Sequence, residues 1–371
     1  MEYKFSDIFT WTSGKPVTTD EGDIPVYGSN GVIGFCSNAK YKNQIILGRV
    51  GAYCGSVEYC PGEFNATDNT LITTCDENYI RYGYAYYLLK QYKLNNLAGG
   101  AAQPLITQGL LKHLKCDLPS VEYQDKVYSF LKQFEDLIAN YKIRIDSLER
   151  VIASIYKEWF IRFRFPGHED VQIVDGIPAG WNYKTMDEIT AVLQRGISPQ
   201  YDDDGDTRVI SQKCIRTNIM DISEARSQSK SYKDQLNLQD ADVVICSTGT
   251  GTLGRVGRVI GEYPRTTFDS HVTLVRAKEG ISKQFLYGAL KNLQPWLTNM
   301  GIGSTNQQEL YRSVIGGAKV LVPDNELMDR YEELIIPIHN EIALINSKLD
   351  LISKQRDLFI PRLLSGRIVL Q

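Results

Sequence analysis

The chain has 371 residues, 43% of them hydrophobic and 23% charged, and a formal net charge of −3 at pH 7. This length and composition are typical of a globular protein with two or three domains that each bury a core. The weakly acidic balance argues against a uniformly basic DNA-binding surface, so any DNA contact requires local patches or a basic partner.

The lack of targeting signals and the cysteine pattern argue against a secreted or membrane protein. The N-terminus leads into polar sequence rather than an apolar signal peptide, and no apolar run approaches the roughly 18 residues of a membrane span. The seven cysteines form no CxxC pair, which predicts free thiols in a reducing compartment. We therefore expect a cytoplasmic protein that does not contact a membrane.

Residues 1–118 are predicted to form a first domain of short strands and turns. Apolar segments alternate with glycine-rich ones, which indicates a twisted sheet, and residues 80–94 have a helical pattern. Two loops carry candidate DNA contacts, namely Arg49 and Tyr53 in residues 48–55 and Gln103 in the small-residue loop 98–104. A tight hairpin and a helix-capping connection are the alternative interpretations of these loops.

Residues 119–167 are predicted to form a long central helix. Apolar residues recur from Val127 to Trp159 in steps of four and three, which is an a/d heptad seam sustained for more than four heptads. Such a seam requires a partner helix along its length because it has nothing else to bury against. The predicted seam of this helix includes Leu131, Ile138, Ile145 and Ile152.

Residues 168–322 repeat the order of the first domain. Residues 242–249 correspond to 44–51, and 300–307 to 98–104. The GxGxxG match at 249–254 follows a strand, but residues 255–260 have the pattern of a second strand, so a strand-to-strand loop is favoured over a dinucleotide site. The candidate DNA contacts are polar or cationic side chains on these loops: Gln212, Lys213, Thr248, Thr250, Arg255, Ser304 and Thr305.

Residues 323–371 repeat the long helix. Adding 204 to the ten seam positions of the central helix gives nine apolar residues, and Arg356 is the one break. The predicted seam of this helix includes Ile335, Ile342, Leu349 and Phe359. An antiparallel coiled coil between the two helices is the simplest way to bury both seams, and amphipathic helices on separate domains are the alternative.

The sequence contains no recognisable catalytic or metal site. The four histidines are dispersed, and neither a Walker loop nor the Asn-Pro-Pro-Tyr segment of adenine methyltransferases occurs. The acidic segment 202–206 lacks the glutamate at position 12 of an EF-hand loop, so a solvated turn is favoured over calcium. We predict no catalytic residue, no metal ligand and no bound cofactor.

The layout resembles the specificity subunit of type I restriction-modification systems over essentially the whole chain. The resemblance is carried by the segments 177–181, 196–201 and 209–212, by Leu118-Pro119 and Val322-Pro323 before the long helices, and by residues 356–366. It implies an α+β fold of two β-rich target-recognition domains, separated and joined by two long helices in an antiparallel coiled coil, made by an internal tandem duplication. The first copy departs from the pattern because it begins at residues 4–8 without a Pro-x-Gly-Trp opening.

The resemblance also implies a function and partners. The chain would be a non-enzymatic DNA reader whose two domains each bind half of an asymmetric split site in double-stranded DNA. The coiled coil would set the gap and dock two modification (methyltransferase) subunits, which use S-adenosylmethionine, and restriction subunits with ATP and Mg would join the complex. The alternatives are an enzyme with a degenerate site and a coiled-coil scaffold without a nucleic-acid role.

Overall fold

The computed structural model describes residues 1–99, 104–249, 251–303 and 308–370. Packing divides the chain into two compact units, one made of Met1–Asn140 with Lys348–Gln371 and the other of Tyr141–Ser347. Each unit contains one β-rich domain and a part of both long helices. The division into 1–118, 119–167, 168–322 and 323–371 follows chain order rather than packing and stays a prediction.

The domain in the first unit is built on a six-stranded sheet with the strand order β2-β7-β5-β6-β3-β4. A separate antiparallel pair, β1 with β8, joins the start of the domain to its end. The strands are β1 (Glu2–Lys4), β2 (Phe9–Ser13), β3 (Ile24–Gly28), β4 (Gly31–Cys36), β5 (Tyr41–Gly48), β6 (Val57–Ala66), β7 (Thr70–Cys75) and β8 (Lys115–Asp117). The helices are α1 (Phe5–Ile8), α2 (Tyr82–Gln91) and α3 (Gln108–Lys112).

Between the two domains the chain forms α4 (Val121–Tyr156), and it ends with α8 (Asn325–Leu364). Both helices begin two residues after a proline, and the residue between has a side chain that accepts from a backbone N–H of the first turn. Ser120 Oγ accepts from Tyr123 at 3.4 Å, and Asp324 Oδ1 accepts from Leu327 at 2.8 Å. These caps satisfy amide groups that have no partner within the helix.

The domain in the second unit contains a four-stranded sheet, β12-β18-β15-β16, and a three-stranded sheet, β14-β13-β17. Its strands are β9 (Ile173–Val174), β10 (Ile177–Pro178), β11 (Asn182–Thr185), β12 (Thr190–Arg195), β13 (Thr207–Ile210), β14 (Arg226–Gln228), β15 (Val243–Cys246), β16 (Val256–Arg258), β17 (Thr266–Phe268), β18 (Val272–Ala277) and β19 (Lys319–Val322). Its helices are α5 (Met186–Ile189), α6 (Lys283–Asn299) and α7 (Arg312–Gly317).

The two domains share one order of elements, as a tandem duplication requires. Each opens with a strand, a one-turn helix and a second strand, and each closes with two helices and a short strand before a long helix. The opening and closing strands pair antiparallel in both, with Tyr3 opposite Cys116 and Tyr183 opposite Leu321. The opening of the first copy at residues 4–8 therefore corresponds to that of the second, although it lacks the Pro-x-Gly-Trp segment.

The long helices pack antiparallel within each unit. In the first unit the rings of Phe130 and Phe359 lie 5.3 Å apart, and Arg356 pairs with Glu135 at 3.2 Å. This ion pair accounts for the one polar residue in the seam, because the half-buried guanidinium is neutralised by the facing helix. All ten seam positions of the first helix, and all ten of the second, are buried or half-buried.

The second unit has the same helix arrangement. Arg144 pairs with Glu341 at 2.9 Å, and the rings of Trp159 and Tyr331 lie 5.7 Å apart. Residues later in the first helix thus contact residues earlier in the second, so the two helices run antiparallel. The predicted fold class is confirmed. Across the described residues, no helix combines the length and apolar content that a membrane span requires.

A glycine in each domain allows its main helix to approach an aromatic ring of α4 closely. A Cβ at Gly83 of α2 would lie 2.2 Å from the ring of Tyr128, and a Cβ at Gly288 of α6 would lie 2.4 Å from the ring of Tyr156. Tyr128 is half-buried and Tyr156 is buried. Neither ring can therefore yield without repacking the domain against the long helix.

Replacing Gly288 with alanine should destabilise the second unit by about 1–3 kcal/mol, because the added methyl overpacks the site against Tyr156. Chemical denaturation of wild type and variant measures the difference. The control is Gly317→Ala at the exposed end of α7, where a Cβ meets nothing within 4 Å. Equal stabilities of the Gly288 and Gly317 variants would contradict the close packing.

A buried histidine on α8 lies against the second domain. His339 is 4% exposed, and its ring meets that of Tyr287 edge-on at 5.4 Å. Within the described residues neither ring nitrogen has a hydrogen-bond partner. Burial, aided by the positive charge of Arg258, lowers the pKa of His339 to about 3, whereas burial raises the pKa of nearby Glu149.

Acidification should therefore destabilise the second unit through His339. The unfolded chain takes up a proton near pH 6.5 that the folded protein excludes, so about 2 kcal/mol of stability is lost between pH 7 and pH 5. Protonation of Glu149 opposes this loss, so the comparison is made between variants. His339→Leu should lose less stability than wild type over this range, whereas exposed His113→Leu should follow wild type. Parallel curves for wild type and His339→Leu would refute the assignment.

Candidate nucleic-acid interface

The structure brings three of the predicted contacts of the second domain into one cleft of about 500 Å³. Gln212 and Lys213 lie in the turn after β13, and Thr248 lies just beyond the end of β15. The cleft is lined by Ser211, Gln212, Lys213, Thr248, Gly249, Asp269, His271, Gln308 and Glu309. It is therefore a polar surface made by four chain segments that are distant in sequence.

A hydrogen-bonded relay crosses this cleft. The Gln212 side-chain amide donates to Thr248 Oγ1, which lies 2.7 Å from Nδ1 of His271. Gly249 lies beside the relay with a φ of +98°, and a Cβ there would come within 2.7 Å of the Gln212 side-chain oxygen. Glycine is thus required both by the backbone conformation and by the close approach of Gln212.

Backbone pairing places an acidic side chain next to the relay. Thr248 and Glu309 form an antiparallel bridge, and the Leu310 amide donates to the Ser247 carbonyl at 2.8 Å. The Glu309 carboxylate pairs with the guanidinium of Arg195. This ion pair holds the Glu309 carboxylate in a fixed position at the cleft.

A second acid, Asp269, forms the floor of the cleft. It is 3% exposed, and its Oδ1 accepts from the backbone amide of His271 at 2.9 Å. Burial raises the pKa of Asp269, and the hydrogen bond from the His271 amide together with the charge of Arg195 opposes that rise. Asp269 thereby fixes the backbone that carries the His271 ring.

Arg255 lies outside this cleft and braces the glycine-rich loop. Its guanidinium donates to the carbonyl of Ile215 and to the carbonyl of Gly251, both at 2.9 Å. It lines a separate cavity of about 270 Å³ with Thr252 and Gln294. The side chain thus has structural partners, and its predicted contact with DNA stays a prediction.

The first domain has the same backbone frame with different side chains. The Arg49 amide donates to the Asn69 carbonyl at 2.9 Å, as the Ser247 amide donates to the His271 carbonyl at 2.8 Å. Val50 bridges to Leu105, as Thr248 bridges to Glu309. Asn69 and Leu105 therefore occupy the positions of His271 and Glu309.

The predicted contacts of the first domain lie on this frame. The guanidinium of Arg49 lies 3.5 Å from Ser13 Oγ, and Nε of Arg49 is buried without a partner among the described residues. Tyr53, in the following turn, is 55% exposed. Gln103, Thr250, Ser304 and Thr305 lie outside the described residues.

Six residues that line the cleft are not among the predicted contacts: Ser211, Gly249, Asp269, His271, Gln308 and Glu309. The sequence does contain a signal for Asp269 and His271. Segment 267–274 matches segment 65–71 of the first copy, and a loop whose side chains differ between the two copies is a candidate for contacting DNA. Among residues 1–99, 104–249, 251–303 and 308–370, no three His, Cys, Asp or Glu side chains are grouped to hold a metal ion.

Comparison with known proteins agrees with the fold and the duplication. The family model described as type I restriction modification DNA specificity domain matches residues 1–150. The MjaIX type I restriction enzyme specificity subunit of Methanocaldococcus jannaschii is 24% identical over 301 residues, covering 77% of this chain and 68% of the relative. A Mycoplasma pneumoniae protein named as the N-terminus of a type I specificity subunit is 33% identical over 145 residues, covering 36% of this chain and 76% of the relative.

A solved structure has the same fold. The crystal structure of the type I restriction-modification S subunit from M. genitalium aligns with a TM-score of 0.62 at 18% identity, covering 98% of this chain and 95% of that one. The fold defines a class of proteins that have two duplicated β-rich domains and a pair of long antiparallel helices.

Within that class, the chain belongs to the family of type I restriction-modification DNA specificity subunits, which confirms the resemblance. Subunits of this family are non-catalytic.

Proposed function

We propose that each β-rich domain reads one half of a bipartite, asymmetric site in double-stranded DNA. The observation that carries this proposal is the shared backbone frame with different side chains, Asn69 and Leu105 in one domain and His271 and Glu309 in the other. Equivalent frames with different side chains suit two half-sites of different sequence, because base edges are distinguished by their donors and acceptors.

The helix pair is proposed to set the gap between the half-sites. Both long helices begin in one compact unit and end in the other, without an interruption in the described residues. A helix rises by a fixed ~1.5 Å per residue, so its length does not relax continuously. The same helices are proposed to dock two modification subunits, which supply S-adenosylmethionine, while restriction subunits supply ATP and Mg.

A shared DNA interface reconciles the acidic chain with DNA binding. The net charge is −3 at pH 7, so the chain has no general excess of cations for phosphate contacts. Partner subunits that contribute cations and enclose the duplex would make the affinity a joint property of the complex. The proposed site of action is the cytoplasm, where the DNA lies.

The test is to mix the chain with candidate modification subunits, S-adenosylmethionine and mixed-sequence DNA, and to map methylated adenines by single-molecule sequencing. We expect a single split motif that disappears when the chain is omitted, because the chain supplies the sequence preference. Methylation that does not depend on the chain would exclude it as the reader. A stable complex with the modification subunits that neither binds nor methylates DNA would favour the scaffold alternative.

A further inference from the structure

The cleft of the second domain is lined by an imidazole, that of His271, and by a carboxylate, that of Glu309. We propose that His271 and Glu309 are specificity-determining residues that together read an adenine of the second half-site. His271 donates to N7 of that adenine, and Glu309 accepts from its N6 amino group. The inference rests on the proposed function and names the base class that this domain recognises.

The relay is compatible with a donor nitrogen of His271 facing the cleft. The Thr248 hydroxyl accepts a hydrogen from the Gln212 amide, and in the proposed arrangement it donates its own hydrogen to Nδ1 of His271, 2.7 Å away. With Nδ1 accepting, the neutral ring carries its proton on Nε2. Because His271 is exposed, this N–H is available to an incoming acceptor.

Glu309 supplies the acceptor beside that donor. Its backbone pairs with Thr248, the residue whose side chain contacts the His271 ring, so the two reading groups lie on adjoining segments. The ion pair with Arg195 orients the carboxylate. An ionised carboxylate only accepts hydrogen bonds, so it favours an amino group and disfavours a carbonyl oxygen.

The charges of the cleft favour a base edge over a phosphate. Glu309 and Asp269 both line it, and Lys213 is the one cation in its described lining. Arg195 offsets the charge of Glu309 but is engaged by that carboxylate, so Lys213 is the one cation that the described lining offers to a phosphate. In the major groove adenine presents N7 as an acceptor next to its N6 amino donor, whereas guanine presents two acceptors there. Adenine therefore matches the paired groups, and guanine would meet the carboxylate with O6.

The first domain provides the internal comparison. On the same backbone frame it carries Asn69 and Leu105, so it has no carboxylate at the position of Glu309. It therefore has to read its half-site with a different set of groups. Leucine is compatible with this frame, which makes Glu309→Leu a substitution that the fold already accommodates in its other copy.

The experiment maps methylated motifs made by the reconstituted complex carrying wild type, His271→Phe, Glu309→Leu or Glu309→Gln. His271→Phe and Glu309→Leu should each reduce the preference for adenine at one position of the second half-site by roughly tenfold or more. Glu309→Gln retains an acceptor oxygen and should retain most of that preference. The first half-site and the gap should stay unchanged in all variants. The controls are Asn69→Leu, which should leave the second half-site intact, and exposed His113→Phe, which should change nothing.

Several results would overturn the inference. An unchanged second half-site in both His271→Phe and Glu309→Leu would do so, as would relaxation at a guanine, cytosine or thymine. A uniform fall in methylation with an unchanged motif would assign the cleft to a phosphate. These outcomes differ from failure of the proposed function, in which wild type itself would give no split motif that depends on the chain.

Discussion

Burial of the a/d seam between α4 and α8 is the interaction on which the rest of the structure depends. Neither helix has an apolar core of its own, and an isolated helix gains little stability without tertiary packing. The seam residues bury each other, and the same helices carry the rings of Tyr128 and Tyr156 against which the domain helices pack. Each domain is therefore attached to a surface that exists because the helices are paired.

The duplicated domains separate structural residues from the residues proposed to read DNA. Equivalent backbone hydrogen bonds hold the strand ends in both copies, and they involve amides and carbonyls that any side chain could accompany. The side chains displayed on that frame are free to differ, as Asn69 and His271 do. This arrangement allows a change of sequence preference without a change of fold, which suits a family whose members are specificity subunits.

The sequence predicts the framework better than the site, for physical reasons. A 3.5-residue period, a proline-marked helix start and a repeated order of strands are local patterns, so the helices and the duplication could be inferred from them. The cleft depends on contacts between segments far apart in the chain. Thr248 is predicted from its loop, but the sequence shows His271 only as one of four dispersed histidines and does not mark Glu309 as a contact. The charge of Arg255 makes it a predicted DNA contact, but its guanidinium donates hydrogen bonds to two carbonyls of its own domain.

The proposal that the helix pair sets the spacing is tested most directly by shortening both helices and measuring the gap between the two methylated half-sites. Deleting one heptad from each helix, residues 138–144 with 342–348, preserves the a/d register and shortens each helix by ~10.5 Å. If the helices are the spacer, the same two half-sites are methylated with a gap shorter by about three base pairs, since DNA rises ~3.4 Å per base pair. The same half-sites at the original gap would contradict the role of the helices as the spacer.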